Sequence, residues 1–217
     1  MGIEAKRIIV ALDILDSRAA LTLADQLIGV GLKWFKVGLG LWIHDGQRVV
    51  STLRSRGARV FLDLKLHDIP HQVRLATQAA AELGVDLLTV HAAGGAEMMS
   101  AAAEGAAGKT RLLAITVLTS LDADPSEVVA RADLASASGM DGVVCSPLEA
   151  EALRARHASP FLLVTPGVRP AGSARGDQRR VATPEQALSW GADHLVIGRP
   201  ITQADDPCAV VQRLLNS

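Results

Sequence analysis

The chain alternates eight times between a short apolar, β-branched run and a longer Ala- and Leu-rich segment with helical periodicity. Several of the short runs are almost continuously apolar, which is typical of parallel strands covered on both faces. The predicted strands are 7–12, 34–39, 59–64, 86–91, 111–117, 142–145, 161–165 and 194–197. The predicted helices lie near 17–29, 43–56, 71–83, 95–107, 125–138, 147–157, 183–190 and 206–215.

The number of repeats favours a closed (β/α)₈ barrel, or TIM barrel, over an open doubly wound sheet. One strand fewer would still allow the open sheet. No linker, low-complexity tract or block of charge divides the 217 residues. We therefore predict an α/β protein with a single (β/α)₈ barrel domain over residues 1–217. In either architecture, functional side chains gather at the carboxyl ends of the strands.

Composition limits the class of partner. Hydrophobic residues make up 49% of the chain and charged residues 21%, and the formal net charge is −1. This balance gives no broad electrostatic reason to expect nucleic acid or a membrane surface as partner. No apolar run reaches transmembrane length, and the N-terminus lacks a signal-like apolar region. We expect a cytoplasmic protein that acts on a small molecule.

Charged residues cluster at the end of the third predicted strand. Asp63 and Lys65 are two positions apart, so both side chains should point to the same face of a strand, and Asp68 follows just beyond. Lys36 lies near the end of the second strand. Polar residues recur at the same end of other strands, which indicates a reaction site more than a single ion pair in a wall. These further residues are Asp13, His91, Thr119, Ser120 and Arg199.

A long connection, about 166–182, follows the seventh strand. Loops of this length are usually functional or disordered. In barrels of this kind, the loops after strands seven and eight often bind phosphate. Arg169 and Gln178 supply donors on the first of these loops, and Arg199 lies on the second. We predict that 166–182 is a phosphate-binding lid.

Several segments taken together resemble one enzyme family, the bacterial type of orotidine 5′-phosphate decarboxylase. The resemblance extends from Ala11 to Thr202. An Asp-x-Lys-x-x-Asp run alone also fits related sugar-phosphate decarboxylases and synthases, but the combination is specific. It comprises Lys36, Phe-Leu-Asp-Leu-Lys-Leu-His-Asp-Ile-Pro at 61–70, Thr-Pro-Gly-Val-Arg-Pro at 165–170, Gly-Asp-Gln at 176–178 and Val-Ile-Gly-Arg-Pro-Ile-Thr at 196–202.

The resemblance implies decarboxylation of orotidine 5′-monophosphate to UMP and CO₂ in de novo pyrimidine synthesis, without a metal or an organic cofactor. It implies that Lys36, Asp63, Lys65 and Asp68 form an alternating charged catalytic array. It also implies a homodimer in which Asp68 reaches into the neighbouring subunit's site.

The same resemblance assigns residues to substrate binding. After Pro70 the family commonly has Asn-Thr, with the threonine on the neighbouring subunit's ligand, whereas this chain has His71-Gln72. Gln72 can still hydrogen-bond a ribose hydroxyl, although its side chain is longer than that of threonine, so it is retained as a candidate. Asp13 could instead cap the following helix, but Asp16 is better placed to do so. The substrate-binding set is Asp13, Lys36, Thr119, Arg169, Gln178, Gly198, Arg199 and Gln72.

The chemistry of the lysine agrees with that family's reaction. Loss of CO₂ from C6 of the pyrimidine leaves negative charge in the ring plane, where Lys65 could stabilise it and then donate a proton. One charge at ~4 Å and an effective dielectric near 20 contributes about 4 kcal/mol, roughly a thousandfold in rate. Asp63 and Asp68 would keep Lys65 protonated and aimed. Asp63 could also crowd the departing carboxylate, although we assign preorganisation the larger share.

Two alternatives stay open. A metal-dependent sugar-phosphate decarboxylase could use His91 with Asp63 as metal ligands, although Lys65 already occupies the place of a cation. A non-catalytic nucleotide-binding sensor, derived from an enzyme that has lost its activity, would bind UMP tightly without turnover. The complete charged array argues against such a loss.

Overall fold

Eight parallel strands form a closed barrel in the computed structural model, which describes residues 2–169 and 181–216. Each strand pairs with its neighbours in sequence, and the eighth closes the barrel on the first. The predicted (β/α)₈ barrel is confirmed. The strands are β1 (Ile8–Ala11), β2 (Trp34–Gly38), β3 (Arg59–Leu66), β4 (Leu87–His91), β5 (Arg111–Ile115), β6 (Gly142–Val144), β7 (Leu162–Thr165) and β8 (His194–Ile197).

Helices follow the strands and cover the outside of the barrel. Each of the eight predicted helices has a counterpart, and one short helix after β8 was not predicted. The helices are α1 (Ser17–Gly29), α2 (Leu39–Ser55), α3 (Pro70–Glu82), α4 (Gly95–Ala106), α5 (Pro125–Ala137), α6 (Ala150–Arg156), α7 (Pro184–Ser189), α8 (Arg199–Thr202) and α9 (Pro207–Asn216).

Two predicted helix starts are corrected by the structure. Helix α2 begins at Leu39, directly after β2, and not near 43, and it has a kink with non-helical backbone at Asp45. The segment predicted as one helix over 147–157 begins instead with a 3₁₀ turn, Pro147–Glu149, before α6. In both places a local irregularity interrupts the periodic apolar pattern on which the prediction was based.

The apolar core has two layers, and their arrangement positions the polar side chains. One layer lies between barrel and helices, and the other fills the barrel interior. Along β2, buried Trp34 is followed two positions later by Lys36, and along β3, Phe61 is followed by Asp63. Because alternate residues face the same side of a strand, the interior changes from apolar to charged towards the carboxyl ends of these strands.

Within the described ranges, none of the helices combines the length and the apolar character needed to cross a membrane.

Candidate active site

A cavity of about 430 Å³ opens at the carboxyl ends of the strands. Its wall combines apolar residues from the barrel interior with polar residues from strand ends and loops. Among the residues that line it are eight that the sequence predicted for the site: Asp13, Lys36, Asp63, Lys65, Thr119, Arg169, Gly198 and Arg199.

Four of these side chains form a continuous chain of alternating charge. The ammonium of Lys36 lies 2.9 Å from Asp13 Oδ1 and 3.5 Å from Asp63 Oδ2. The ammonium of Lys65 donates to both carboxylate oxygens of Asp63 at 2.8 Å. A Cβ at Gly38 would lie 3.0 Å from both Lys36 Nζ and Asp13 Oδ1. Glycine at this position therefore leaves room for the first ion pair.

The backbone around Lys65 departs from a regular strand. The register between β3 and β4 shifts between Leu62 and Leu66, and Lys65 has φ 51°. Left-handed backbone is uncommon for a residue other than glycine, and irregularities of this kind are frequent beside active sites. Asp63 and Lys65 both line the cavity, as predicted. However, regular alternation alone does not describe the conformation that brings them there.

Thr89, on β4, is a site residue that the sequence prediction missed. Its hydroxyl donates to Asp63 Oδ1 at 3.0 Å and accepts from the backbone N–H of Lys65 at 2.8 Å. Thr89 is fully buried, so both bonds are shielded from water. A single threonine in an apolar strand gave no signal of this role. One hydroxyl thus fixes both the carboxylate of Asp63 and the backbone that carries Lys65.

Electrostatics favour the charged forms of the two buried members of the chain. Burial alone would raise the pKa of Asp63, but the charges of Lys36 and Lys65, with hydrogen bonds from Lys65 and Thr89, bring its pKa below the usual carboxyl value. Burial alone would lower the pKa of Lys36, but Asp63 and Asp13 raise it above the usual ammonium value. Both groups are therefore ionised at neutral pH.

Two arginines provide positive charge on another part of the wall. Burial lowers the pKa of Arg169, and the neighbouring charge of Arg199 lowers it further. Arg169 lies beside the bridge between Val168 and Ala182, which joins the described ends of the long connection after β7. Two guanidinium groups close enough to repel each other form a site suited to a phosphate.

The unpredicted helix α8 brings further groups to this region. Gly198 immediately precedes α8, Arg199 begins it, and Gln203 follows it, and all three line the cavity. Gln203 was not predicted, because the sequence after Pro200 gave no sign that the chain would turn back towards the cavity.

Two predicted residues, Asp68 and Gln72, are described by the structure but do not line the cavity. Asp68 is exposed, and its carboxylate accepts from the backbone N–H of Ile69 at 2.7 Å. Gln72 is exposed on the first turn of α3. Gln178, with most of the predicted lid over 166–182, lies outside the described residues.

The helix cap predicted for Asp16 is present. The carboxylate of Asp16 accepts from the backbone N–H groups of Arg18 and Ala19 at the start of α1. Asp13 is thereby left to pair with Lys36.

The neighbourhood of His91 bears on the metal alternative. The ring of His91 lies 5.3 Å from that of His67. Burial lowers the pKa of His91, and the charges of His67 and Lys65 lower it further. Across the described part of the chain, no group of three or more His, Cys, Asp or Glu residues is arranged to hold a metal ion. His91 therefore has a ring partner here, and the structure provides no ligand set around it.

Known proteins resemble this chain over almost its whole length. Residues 6–214 match the family described as orotidine 5′-phosphate decarboxylase / HUMPS. An orotidine 5′-phosphate decarboxylase from Parasynechococcus marenigrum is 52% identical, with 94% of this chain and 91% of that protein covered. The same-named protein of Teredinibacter turnerae is 46% identical, with 100% and 99% covered.

A solved structure supports the same relationship. The crystal structure of orotidine 5′-phosphate decarboxylase from Lactobacillus acidophilus has a TM-score of 0.83 and 36% sequence identity to this chain. The match covers 98% of this chain and 100% of that one. From the family match, the level of identity and the shared barrel, we conclude that this chain belongs to the orotidine 5′-phosphate decarboxylase / HUMPS family.

Proposed function

We propose that the chain is an orotidine 5′-phosphate decarboxylase, a carboxy-lyase that converts orotidine 5′-monophosphate to UMP and CO₂ in pyrimidine synthesis. The observation that carries the proposal is the ammonium of Lys65, which both oxygens of Asp63 hold at the cavity wall. The names of relatives about 50% identical to this chain support the same activity.

The two kinds of wall suggest how the substrate lies. We place the phosphate at Arg169 and Arg199, where two guanidinium groups approach each other. The pyrimidine then lies over the apolar floor, which includes Phe61 and Ile115, with C6 towards Lys65. The ribose lies between these ends, near Asp13 and Lys36. Gln178 is retained as a phosphate ligand on the family resemblance alone.

In this arrangement the reaction needs a cation that is already in position. When the C6–CO₂ bond breaks, its electron pair stays on C6, and CO₂ leaves. Lys65 stabilises that pair and then transfers a proton from Nζ to C6, which gives UMP. Because Asp63 already orients the ammonium through two 2.8 Å contacts, little reorganisation is needed as charge develops.

Removing the hydroxyl of Thr89 should slow the reaction without weakening substrate binding. The Thr89→Val variant loses one bond to Asp63 and one to the Lys65 backbone, so we expect kcat to fall about 10- to 100-fold with little change in KM. Steady-state kinetics measures both values. Thr89→Ser, which keeps the hydroxyl, should retain most of the activity.

A matched control tests whether that effect is local. Thr110 is also buried, and its hydroxyl donates to the Val85 carbonyl at 2.8 Å, ahead of β5 at the opposite end of the barrel. Thr110→Val therefore removes a comparable buried bond and should leave kcat unchanged. If both variants lost activity in proportion to their stability, Thr89 would have a structural role only.

We also propose a homodimer in which each Asp68 serves the partner's site. Asp68 is exposed and absent from its own subunit's cavity wall. Five large apolar side chains from the segments that follow β1, β2 and β3 are 42–80% exposed. They are Leu15, Leu39, Ile43, Ile69 and Leu75. Exposed apolar side chains that form one patch often mark an interface between proteins.

Mixing two inactive variants should restore activity if the site is shared. Lys65→Ala and Asp68→Ala each damage one part of the array, but a mixed dimer assembles one site with both residues intact. If equal amounts of the two variants exchange subunits at random, about half of all dimers are mixed. Each mixed dimer has one intact site of its two. We therefore expect about a quarter of wild-type activity. Differently tagged subunits allow purified mixed dimers to be assayed. Verified mixed dimers without activity would contradict the shared site.

The proposed activity is tested with metal-stripped protein. Incubation with orotidine 5′-monophosphate should give a loss of the substrate's ultraviolet absorbance that chelator does not abolish. A magnesium requirement would favour the sugar-phosphate alternative, with a different substrate. Tight UMP binding without turnover would favour the sensor. The lid over 166–182 and the cytoplasmic location stay predictions from the sequence.

A further inference from the structure

A second cavity, of about 630 Å³, opens at the other end of the barrel, where the strands begin. We call it the basal cavity. Its lining is strongly cationic, since it includes Lys6, Arg7, Lys33, Arg59 and Arg111. None of these residues belongs to the proposed decarboxylation site.

The beginnings of several strands bring these cations together. Arg59 is the first residue of β3 and pairs in register with Trp34, the first residue of β2. The guanidinium of Arg59 lies 5.4 Å from the centroid of the buried Trp34 ring. Arg111 begins β5 and His194 begins β8. Residues from strands around the barrel therefore line one opening.

The negative charge near the cavity is already engaged. Asp193 lines it, but its carboxylate is bound by Arg154 at 2.5 Å and by the backbone N–H of Leu163 at 2.8 Å. Glu4 pairs with both Lys6 and Arg7. The positive charge of the opening is therefore only partly compensated.

Three cations of the basal cavity have no carboxylate partner among the described residues. Over residues 2–169 and 181–216, the side chains of Lys33, Arg59 and Arg111 form neither an ion pair nor a hydrogen bond to a carbonyl. The charge of Arg111 also acts on His194. Burial lowers the pKa of His194 to about 4, and the charge of Arg111 contributes to this shift.

A structural role for basic residues at this end of a barrel has to be considered. The helices end here, and cations stabilise the partial negative charge at a helix C-terminus. Arg7 fills that role by donating to the Ala192 carbonyl after α7, and Arg154 does so at the Gly191 carbonyl. Since Lys33, Arg59 and Arg111 make no such bond, helix capping does not account for them.

We propose that the basal cavity binds a polyphosphate group, with Lys33, Arg59 and Arg111 as its charge partners. The planar forks of two arginines match phosphate oxygens. The cavity volume lies within the range of ~300–1,000 Å³ that is usual for small-molecule sites. Three unpaired cations suit a di- or triphosphate better than a monoanion. Both inorganic polyphosphates and nucleoside triphosphates carry this group.

Isothermal titration at low ionic strength, with inorganic tripolyphosphate and with ATP as probes, tests the proposal. An Arg199→Gln background removes a proposed phosphate ligand of the candidate active site. In that background we expect one equivalent of tripolyphosphate to bind, and Arg59→Gln/Arg111→Gln to weaken binding at least about tenfold. Equal affinity for the two probes would identify the polyphosphate group alone as the ligand. Tighter binding of ATP would assign a contribution to the nucleoside.

A control pair separates a specific site from general charge. Arg18 and Arg213 are exposed, so Arg18→Gln/Arg213→Gln removes the same net charge elsewhere and should leave binding unchanged. Lys33→Gln, a single exposed change, provides a second variant if the double substitution at the cavity does not fold. No binding in the Arg199→Gln background, or equal weakening in the control pair, would overturn the proposal. Because binding is read directly, failure here leaves the proposed decarboxylation untouched.

Discussion

Replacing Lys65 by alanine is expected to lower kcat by about 10⁵-fold or more while the protein stays folded. The proposed mechanism gives Lys65 two contributions to the rate, and their factors multiply. A fixed ammonium near C6 contributes roughly a thousandfold through charge stabilisation. In the proposed mechanism the same group is also the proton donor, and positioned proton transfer contributes typically ~10²–10⁴-fold. On the cavity wall that the structure describes, the other ammonium is that of Lys36, which Asp13 and Asp63 hold, so we do not expect it to replace Lys65.

The fold should tolerate this change. The side chain of Lys65 is 32% exposed, so its ion pair is partly screened by solvent, and after its removal Asp63 keeps Lys36 and Thr89 as partners. We expect the free energy of unfolding to change by no more than about 1 kcal/mol. Urea unfolding and UMP titration measure stability and binding separately from turnover.

The exposed Lys109 gives a matched control. Lys109→Ala should be as active as the original protein. If Lys65→Ala kept kcat within tenfold of the original, Lys65 could not be the proton donor, and the proposed mechanism would be wrong.

The sequence was a good guide to the barrel because long periodic segments report burial directly. In the part of the chain that the structure describes, all eight strands and eight of the nine helices were predicted. Polar residues at the carboxyl ends of several strands gather at one end of the barrel, as parallel topology requires. The irregular parts were not predicted. Left-handed backbone at Lys65 and the short helix Arg199–Thr202 depend on contacts between distant segments, which a local pattern does not carry.

Thr89 shows a second limit of sequence patterns. Its neighbours Leu87, Leu88 and Val90 are buried and apolar, so the segment is predicted correctly as a strand. The hydroxyl bonds to Asp63 and Lys65 on β3, which are 26 and 24 residues away in sequence. Only the pairing of β3 with β4 brings these residues within hydrogen-bonding distance of Thr89. Charged residues are visible in a sequence, whereas the neutral groups that orient them become visible only in the fold.

Replacing Asp63 by asparagine is expected to damage both activity and stability. Asp63 is 9% exposed and lies between two ammonium groups. Without its charge, Lys65 is no longer aimed by two strong bonds, and Lys36 keeps Asp13 as its carboxylate partner. We expect kcat to fall by about 10³-fold. The free energy of unfolding should fall by about 3 kcal/mol at neutral pH, since a buried ion pair loses one member.

The loss of stability should depend on pH in a defined direction. Because the pKa of Asp63 is lower in the folded protein than in the unfolded chain, its stabilisation is present above the usual carboxyl range and is lost as pH falls through the folded pKa. The difference between Asp63→Asn and the original protein should therefore be largest near neutral pH and shrink in acid. Asp133→Asn, at a partly exposed carboxylate paired with Arg156, should change stability little at either pH.

The kinetics of Asp63→Asn also separate two explanations of how Asp63 assists the reaction. If Asp63 mainly preorganises Lys65, substrate binding should be nearly unchanged, so kcat falls and KM stays close to its original value. If Asp63 mainly crowds the substrate carboxylate, its neutralisation should relieve repulsion in the bound state, so KM falls together with kcat. The carboxylate already accepts two bonds from Lys65 and a third from Thr89, which favours preorganisation. Titration of a substrate analogue that keeps the carboxylate would contradict this view if the variant bound it far more tightly.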